Sequence, residues 1–528
     1  MTRLRSNAPA VAWRRPVAAL VVSATVALCA GCSGMPELRA AHGREPAASR
    51  QATDENRLPG GSWELAHRSV HGEVQGFASA TSARRGEPVT LHVSTTAATY
   101  VVRAFRMGWY GGRLGRLVWT SAPLPGFVQT AVHTVEATHT VSADWRPGPT
   151  LDTSSWPPGD YLLRLDAANG YQRFVPLVVR GGNSTGRIVL IEAVTTWQAY
   201  SDWGGHTLYR GPGGGFSTRA RAVSFDRPYD DSSSSDRDGA GQFVTRELPA
   251  VALAEQLGLP LEYATDVDLH ADQHLLDGAV GVVSMGHDEY WSLPMRAAVE
   301  RARDRGVDLA FLGANAVYRR IRFQPSPLGP DRVEVNYKLA AEDPLSGSGR
   351  ADVTADWPAP PRARNESALV GQDYDCFPAR ADQVVVDPGN WLFAGTGAGP
   401  DTRLHLVVGP ESDKVNLSAP TPRPLEVLAH THFLCGGKPT TSDVTWYTTP
   451  SGSGVFASGS INWVCSITGA HCRAGGGATS VIVRGVTANL LRAFAAGHAG
   501  RAHPAHDNVA HVSALVAPSG SRLTPRGG

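Results

Sequence analysis

The chain has 528 residues, enough for two or three hydrophobic cores. Its formal net charge is +1 and only 18% of its residues are charged, which excludes a nucleic-acid partner, since such proteins carry a basic face. Its 57 Gly and 37 Pro residues favour a turn-rich β domain and long loops over a helical bundle.

The N-terminus has the layout of an export signal. Basic residues, including Arg14 and Arg15, precede an apolar stretch from Val17 to about Gly31, which is short for a membrane span. The small residues before Cys32 resemble the lipobox of bacterial lipoproteins, so we expect residues 1–32 to be a signal peptide, with Cys32 acylated as the mature N-terminus at the outer face of the cell membrane. Cys29 departs from that pattern, which leaves simple secretion open. The Arg pair leaves Sec and twin-arginine export both open.

Residues 33–60 lack an apolar period and are expected to form a flexible tether. A β domain is predicted over residues 61–182, because short segments of alternating apolar and polar residues recur there. These segments are Glu87–Ser94, Tyr100–Arg106, Tyr161–Leu165 and Phe174–Arg180. Their spacing favours an immunoglobulin-like sandwich.

From residue 186 the pattern changes to that of an α/β domain, predicted over residues 186–498. Continuous apolar runs at 186–191, 279–285 and 307–312 indicate buried parallel strands, and a helix at 293–305 completes a βαβ unit. A second helix is predicted at 248–257. We expect a flexible loop at 230–241, a β-rich extension of the sheet at 391–482, and a flexible tail over 499–528.

Four cysteines follow the signal, and an oxidising compartment favours disulfides over free thiols. The residues are Cys376, Cys435, Cys465 and Cys472. Three pairings are open. Cys465 and Cys472 are close enough in sequence to close a small loop, which would leave Cys376 with Cys435. Zinc is the rival interpretation, but these four contain no C-x-x-C pair.

Chemically distinctive segments directly follow the predicted core strands, where ligands bind in open parallel sheets. They are Thr195–Tyr209, Gly286–Ser292 and Gly313–Ala316. No G-x-S-x-G elbow and no equivalent around a cysteine is present, which argues against a covalent acyl-enzyme.

These segments resemble the large (β) subunit of N,N-dimethylformamidase and its family of secreted relatives. The similar segments are Trp197–Tyr200, Gly286–Ser292, Phe105–Gly112, Val408–Asp413 and Ser453–Phe456, in the family's order. The resemblance implies a glutamine-amidotransferase-like catalytic domain with a mononuclear iron held by two tyrosines and a glutamate. Matched position by position, these are Tyr200, Tyr209 and Glu289. His287, Asn315 and Glu411 match the other polar residues of the active site.

The donor types agree with that assignment. Two phenolates and a carboxylate are hard oxygen ligands suited to ferric iron. Three protein ligands leave positions for water or an amide carbonyl. Glu411 is then the expected general base, while His287 and Asn315 orient groups or stabilise the oxyanion.

Structural explanations compete with each of these roles. Tyrosines that follow strands are commonly packing residues, Glu411 could be a solvated carboxylate, and residues 287–289 could form the N-terminus of a helix. Asn315 is expected between a strand and a helix. The pairs His270/His274 and His430/His432 have spacings compatible with metal binding but no evident third ligand.

The leading hypothesis is an exported amide C–N hydrolase that uses this iron. The alternatives are a non-catalytic cell-surface protein that binds glycan or protein on a degenerate enzyme fold, and a hydrolase of envelope carbohydrate or peptide. Expected partners are a small-molecule amide or an envelope substrate, with membrane attachment by the lipid anchor only. A homo-oligomer is compatible with the sequence.

Overall fold

The computed structural model describes residues 54–230, 239–470 and 474–515, which belong to one unit. The predicted signal peptide, Cys32 and most of the predicted tether lie outside these residues. Within the described ranges, no helix combines the length and apolar character needed to cross a membrane.

The first part of the described chain is a β sandwich. Its strands are β1 (Val74–Ala78), β2 (Ser82–Arg84), β3 (Val89–Thr95), β4 (Thr99–Met107), β5 (Gly115–Thr120), β6 (Leu124–Pro125), β7 (Val132–Val135), β8 (Thr140–Ala143), β9 (Thr150–Leu151), β10 (Gly159–Ala167) and β11 (Gln172–Arg180). One sheet has the order β1-β3-β9, and the other has the order β2-β11-β10-β4-β5 with β6 beside β4. Strands β7 and β8 form a separate hairpin.

Alternating side chains of both sheets fill one core, as the period-2 pattern predicted. Leu91 and Val93 of β3 meet Leu163 and Leu165 of β10 in this core. Each such buried aliphatic side chain contributes about 1.5–3 kcal/mol relative to exposure. All four predicted strand segments therefore coincide with observed strands of the sandwich.

The remainder is a mixed α/β region. Its first elements are β12 (Ile188–Glu192), α1 (Val194–Tyr200), β13 (Ala222–Ser224), α2 (Gly239–Arg246), α3 (Leu248–Gln256), β14 (Leu261–Thr265), α4 (Asp266–Ala271), β15 (Gly281–Gly286), β16 (Tyr290–Ser292), α5 (Leu293–Asp304), β17 (Asp308–Gly313), β18 (Arg319–Ser326) and β19 (Gly329–Val335). Its later elements are β20 (Ala355–Asp356), α6 (Ser367–Val370), β21 (Asp373–Cys376), β22 (Ala381–Val384), β23 (Arg403–Val408), β24 (Ser412–Lys414), β25 (Leu425–Cys435), β26 (Lys438–Thr448), β27 (Gly454–Ala457), α7 (Asn462–Ser466), α8 (Gly477–Ala496), α9 (Ala499–Ala502) and α10 (Val509–Leu515).

A seven-stranded sheet with the order β14-β12-β15-β17-β27-β26-β25 forms the centre of this region. The first five strands are parallel, β26 pairs antiparallel with β27, and β25 pairs antiparallel with β26. The predicted βαβ unit is β15-α5-β17, and the late β-rich segment extends the same sheet, as expected.

Both faces of the sheet are buried, which explains why its strands are continuously apolar. In β17, Ala310 and Leu312 face the core that contains α3 and α8, whereas Leu309 and Phe311 face the core that contains α5. Alternate residues of a strand point to opposite faces, so an apolar residue is needed at every position.

Some local expectations were wrong. Residues 287–289 do not begin a helix, because Tyr290–Ser292 form β16 and Ser292 caps helix α5. Asn315 is followed by strand β18 and not by a helix. Residues 231–238 of the expected loop lie outside the described residues. Helices α9 and α10 lie in the expected tail, where Val509 packs into a core.

One disulfide joins Cys376 and Cys435, which confirms that pairing. Cys465 is also disulfide-bonded. Cys472 lies outside the described residues.

The segment Phe105–Gly112 of the sandwich lies against the α/β region. The Arg106 guanidinium contacts Glu255 of α3 at 2.7 Å, and both side chains are buried. Tyr263 also donates a hydrogen bond to Glu255, at 2.6 Å. Glycine at position 108 leaves room for this contact, since a Cβ atom there would lie 2.0 Å from the Glu255 carboxylate. The ion pair therefore joins the two parts of the protein.

We expect Arg106→Met to lower the free energy of unfolding by about 3–5 kcal/mol, because it leaves the Glu255 charge buried and unpaired. Urea denaturation of the purified protein measures this loss. Arg350→Met is the control, since Arg350 pairs with Asp352 at the protein surface, where solvent screens the ion pair and its contribution to stability is small. If both variants lost the same free energy of unfolding, the proposed contribution of the buried Arg106–Glu255 pair would be contradicted.

A second contact between the two parts consists of Asp160 of β10 and Glu192 of β12. Both carboxyl groups are buried, and among the described residues no N–H or O–H donor reaches any of their four oxygens. Burial raises the pKa of Asp160 to about 7 and raises that of Glu192 well above its ordinary value. Two neighbouring buried carboxylates without another donor disfavour double ionisation, so we expect the pair to share a proton at neutral pH.

This pair makes stability depend on pH. Between the ordinary Asp pKa of about 3.9 and the folded value of about 7, the folded state holds more protons than the unfolded state, so stability falls as pH rises. Between pH 5 and pH 8, we expect the free energy of unfolding to fall by roughly 2–4 kcal/mol less in Asp160→Asn than in the wild type. The reason is that the Asn amide can donate a hydrogen bond to Glu192 without taking up a proton. Urea denaturation at both pH values, with exposed Asp144→Asn as the control, tests this. Parallel pH profiles for wild type and Asp160→Asn would contradict the shared proton.

Candidate active site

The three polar segments that follow core strands meet at the carboxyl edge of the parallel sheet. They surround a cavity of about 550 Å³. The cavity is lined by Tyr200, Thr207, Tyr209, Arg210, Gln242, Arg246, His287, Glu289, Asn315, Arg319, Tyr374, Phe377, Pro410, Glu411 and Ile461. All six residues predicted from the resemblance as metal ligands or catalytic groups are in this set.

Tyr200, Tyr209 and Glu289 bring their oxygens together. The Tyr200 hydroxyl lies 3.0 Å from that of Tyr209 and 2.9 Å from Oε2 of Glu289. The Tyr209 hydroxyl lies 2.5 Å from Oε1 of Glu289. The four oxygens thus form one compact group on the cavity wall.

Local backbone contacts create this convergence. Tyr200 is the last residue of α1, and the amide of Leu208 donates to the carbonyl of Ala199, which returns the following loop to the helix end. Tyr209 therefore lies beside Tyr200, with ring centroids 4.7 Å apart. The amide of Glu289 donates to Thr196 Oγ1 at 2.9 Å, which fixes the third residue against the same helix.

The charges around this group favour an ionised Glu289. Burial alone would raise its pKa, but His287 and Arg319 outweigh burial and hold the pKa well below its ordinary value. Lys338 also faces Glu289, but burial lowers the pKa of Lys338 itself, which weakens its contribution. Burial raises the pKa of Tyr200 and Tyr209 well above the usual range, and the Glu289 charge raises it further. Without a further positive charge, both phenols are neutral and donate to Glu289.

His287, Asn315 and Glu411 form the adjacent wall. His287 Nε2 lies 3.4 Å from Glu289 and 3.5 Å from Glu411 Oε2. Asn315 Nδ2 donates to the same Glu411 oxygen at 2.7 Å. Burial alone would lower the pKa of His287, but the two carboxylates raise it to about 9. His287 therefore bridges the oxygen group and Glu411.

Asn315 is held in an uncommon conformation. Its φ is +57°, a left-handed value that Asn adopts more readily than most residues, and its amide donates to Asp413 at 2.8 Å. Its side-chain Oδ1 is buried and has no partner among the described protein groups. The site thus holds one orphaned polar atom beside Glu411, where water or a substrate group can bind.

Gly313 and Gly286 end the two strands that lead into the site. A Cβ atom at Gly313 would lie 1.6 Å from the Gly286 carbonyl oxygen, so only glycine allows this approach. The close contact brings the His287 and Asn315 loops together.

Sequence reasoning missed two basic residues. Arg319 donates to Glu289 at 3.1 Å, and Nζ of Lys338 lies 3.5 Å from the ring centroid of Tyr209. Lys338 also donates to the Tyr290 hydroxyl at 2.6 Å. Arg319 begins the strand after the Asn315 loop, which was an available signal. Lys338 follows β19, and nothing local in the sequence relates it to Tyr209.

The donor set fits a small, highly charged cation. The phenol and carboxylate oxygens lie 2.5–3.0 Å apart, close to the roughly 2.9 Å edge of an octahedron with metal–oxygen bonds of about 2.0–2.1 Å. Hard oxygen ligands of this kind suit ferric iron better than zinc. Over the described residues, no group of three or more His, Cys, Asp or Glu side chains is arranged to hold a metal.

Of the pairs His270/His274 and His430/His432, only the second brings its two rings together. His270 hydrogen-bonds Ser292, whereas exposed His274 bonds Asp277, so this pair does not form a site. His430 and His432 do approach each other, with Nε2 atoms 3.3 Å apart. Neither pair lines the cavity described above.

Comparison with known proteins identifies one matching family. A family model described as N,N-dimethylformamidase beta subunit-like, C-terminal, matches residues 101–474. A search of curated proteins gave no significant match. Among solved structures, a cycloisomaltooligosaccharide glucanotransferase from Paenibacillus sp. complexed with cycloisomaltoheptaose matches at 14% identity and a TM-score of 0.14. That match covers 26% of this chain and 18% of the other.

Proposed function

Since this chain belongs to the N,N-dimethylformamidase beta subunit-like family, we propose that it is an amide C–N hydrolase with one ferric ion held by Tyr200, Tyr209 and Glu289. The observation that carries this proposal is the convergence of phenol and carboxylate oxygens within 2.5–3.0 Å of one another beside a cavity. The glutamine-amidotransferase-like and immunoglobulin-like assignments of the two parts belong to the same proposal.

Iron bound there would polarise an amide carbonyl and acidify water, which is the chemistry that hydrolysis needs. The residues on the adjacent wall supply the proton transfers. Glu411 Oε2 accepts the proton of the attacking water, and Asn315 holds that oxygen in position through its 2.7 Å hydrogen bond. His287 lines the same cavity, and the two carboxylates within 3.5 Å keep it protonated, so we assign to it the donation of a proton to the leaving nitrogen.

The cavity favours a substrate larger than a dimethylated formamide. A volume of about 550 Å³ lies in the range of pockets that enclose drug-sized ligands. Apolar groups of Phe377, Pro410 and Ile461 line part of it, so they would contact the substituents of the amide. We propose a small-molecule amide or an amide of the cell envelope as the substrate class.

Metal analysis together with hydrolysis of an amide panel tests this proposal. We expect about one iron per chain in the purified protein, a visible charge-transfer band, and release of amine from N-substituted amides. A folded protein that stays iron-free and colourless after reconstitution would contradict the proposal and favour the binding-protein alternative. Activity on envelope glycans without amide cleavage would favour a carbohydrate hydrolase.

We also propose that the protein is an exported lipoprotein. The basis is the basic and apolar N-terminal sequence that ends in small residues before Cys32. We expect Cys32→Ser to move the protein from the membrane fraction to the soluble fraction, because a lipid chain on Cys32 would be lost. Fractionation and intact-mass analysis measure this. Unchanged membrane retention would contradict the anchor, and a mature chain that begins elsewhere without acyl mass would favour secretion.

A further inference from the structure

Strand β25 carries two histidines that the proposed reaction does not use. His430 and His432 are two residues apart, so both side chains lie on the same face of the strand. Their Nε2 atoms are 3.3 Å apart, and their rings are nearly perpendicular at 79°. His432 is exposed, so solvent ions can reach the pair.

A buried carboxylate orients the first of these rings. His430 Nδ1 donates to Asp443 Oδ1 at 2.6 Å, across the β25–β26 ladder. Asp443 is 3% exposed, and its other oxygen accepts the backbone amide of Val415 at 2.8 Å. With the proton held at Nδ1, the Nε2 atom of His430 presents a lone pair. A carboxylate behind a histidine is the usual outer-shell arrangement of metal-binding imidazoles.

The second ring is also suited to a cation. Burial and the neighbouring His430 lower the pKa of His432 below its ordinary value, which favours the neutral imidazole near pH 7. When His432 carries its proton at Nδ1, its Nε2 atom presents a second lone pair towards the same point. Two imidazole nitrogens suit Zn²⁺ or Cu²⁺ better than Ca²⁺ or Mg²⁺, which prefer oxygen ligands.

We propose that His430 and His432 bind one divalent transition-metal ion of the Zn²⁺ or Cu²⁺ class through their Nε2 atoms. Asp443 is the positioning residue of this site. Water completes the coordination, because the described ranges contain no cluster of three His, Cys, Asp or Glu side chains that could hold a metal. The site lies on β25, at the opposite end of the sheet order from β14, and none of His430, His432 and Asp443 lines the cavity beside the proposed iron site.

Calorimetric titration of the full, untagged chain with Zn²⁺ tests the site, and electron paramagnetic resonance of bound Cu²⁺ identifies the ligand atoms. We expect one Zn²⁺ per chain in addition to any iron, and a nitrogen hyperfine pattern from two imidazoles. His432→Ala should weaken binding at least tenfold. Asp443→Asn should weaken it roughly 10–100-fold, the usual effect of losing an outer-shell carboxylate. His274→Ala is the matched control, because exposed His274 pairs with the Asp277 carboxylate while the nearby His270 hydrogen-bonds Ser292.

Two outcomes would overturn the proposal. One is a wild type that binds neither Zn²⁺ nor Cu²⁺ up to millimolar concentration. The other is unchanged binding in both His430→Ala and His432→Ala, which would place the metal elsewhere. Iron content and amide hydrolysis should be unaffected in these variants, so failure of this site and failure of the proposed function are distinguishable.

Discussion

Replacement of Glu411 with Gln is expected to lower kcat for amide hydrolysis by about 10²–10⁴-fold while the iron content stays at the wild-type level. The amide side chain cannot accept the proton of the attacking water, but it can keep its place beside Asn315. Glu411 lies outside the group of oxygens formed by Tyr200, Tyr209 and Glu289. Turnover under saturating substrate and metal analysis of the same preparation measure the two effects.

Asp375→Asn is the control for this variant. Asp375 lies on the neighbouring strand β21, pairs with Lys414 and does not line the cavity. It should retain wild-type turnover. A Glu411→Gln protein that keeps its full kcat would show that Glu411 is not the general base. Parallel loss of iron and activity would instead indicate that Glu411 holds the metal.

Tyr200→Phe and Tyr209→Phe are each expected to weaken iron binding by more than about tenfold, a loss that even outer-shell substitutions cause. A phenyl ring has no oxygen to donate to a cation. The visible band from phenolate-to-iron charge transfer should weaken in both single variants and vanish in the double variant. Metal analysis and absorption spectra of reconstituted proteins measure this.

Tyr374→Phe is the matched control, because Tyr374 lines the same cavity but lies outside the oxygen group. Its iron content and colour should match those of the wild type. Full iron content in Tyr200→Phe and Tyr209→Phe would contradict the assignment of the phenols as ligands. A stable fold in each variant, checked by its urea midpoint, separates loss of a ligand from loss of structure.

The sequence by itself determined the main elements of the fold. The apolar run at 307–312 became strand β17 (Asp308–Gly313), and the predicted helix at 248–257 became α3 (Leu248–Gln256). Such patterns are local, because a strand buried on both faces needs an apolar residue at every position. A run of about six apolar residues is therefore enough to recognise it. The segments after these strands identified the cavity, because parallel strands share one carboxyl edge.

Which of these residues belong together in one site came from the resemblance of several motifs, since no local pattern relates Tyr209 to Glu289 across 80 residues. Local reasoning also failed after Asn315, where a strand follows in place of a helix. That strand pairs with β19, β16 and β20, so contacts between distant segments decided its conformation.

Only the tertiary structure revealed the partners of the buried charges. Arg106 and Glu255 are 149 residues apart, and Lys338 contacts Tyr209 from the segment that follows β19. The raised pKa values of Asp160 and Glu192 likewise depend on the packing of the sandwich against the sheet. A side chain's charge state depends on its solvation and on the charges that surround it in space, and neither is encoded in the residues adjacent in the chain.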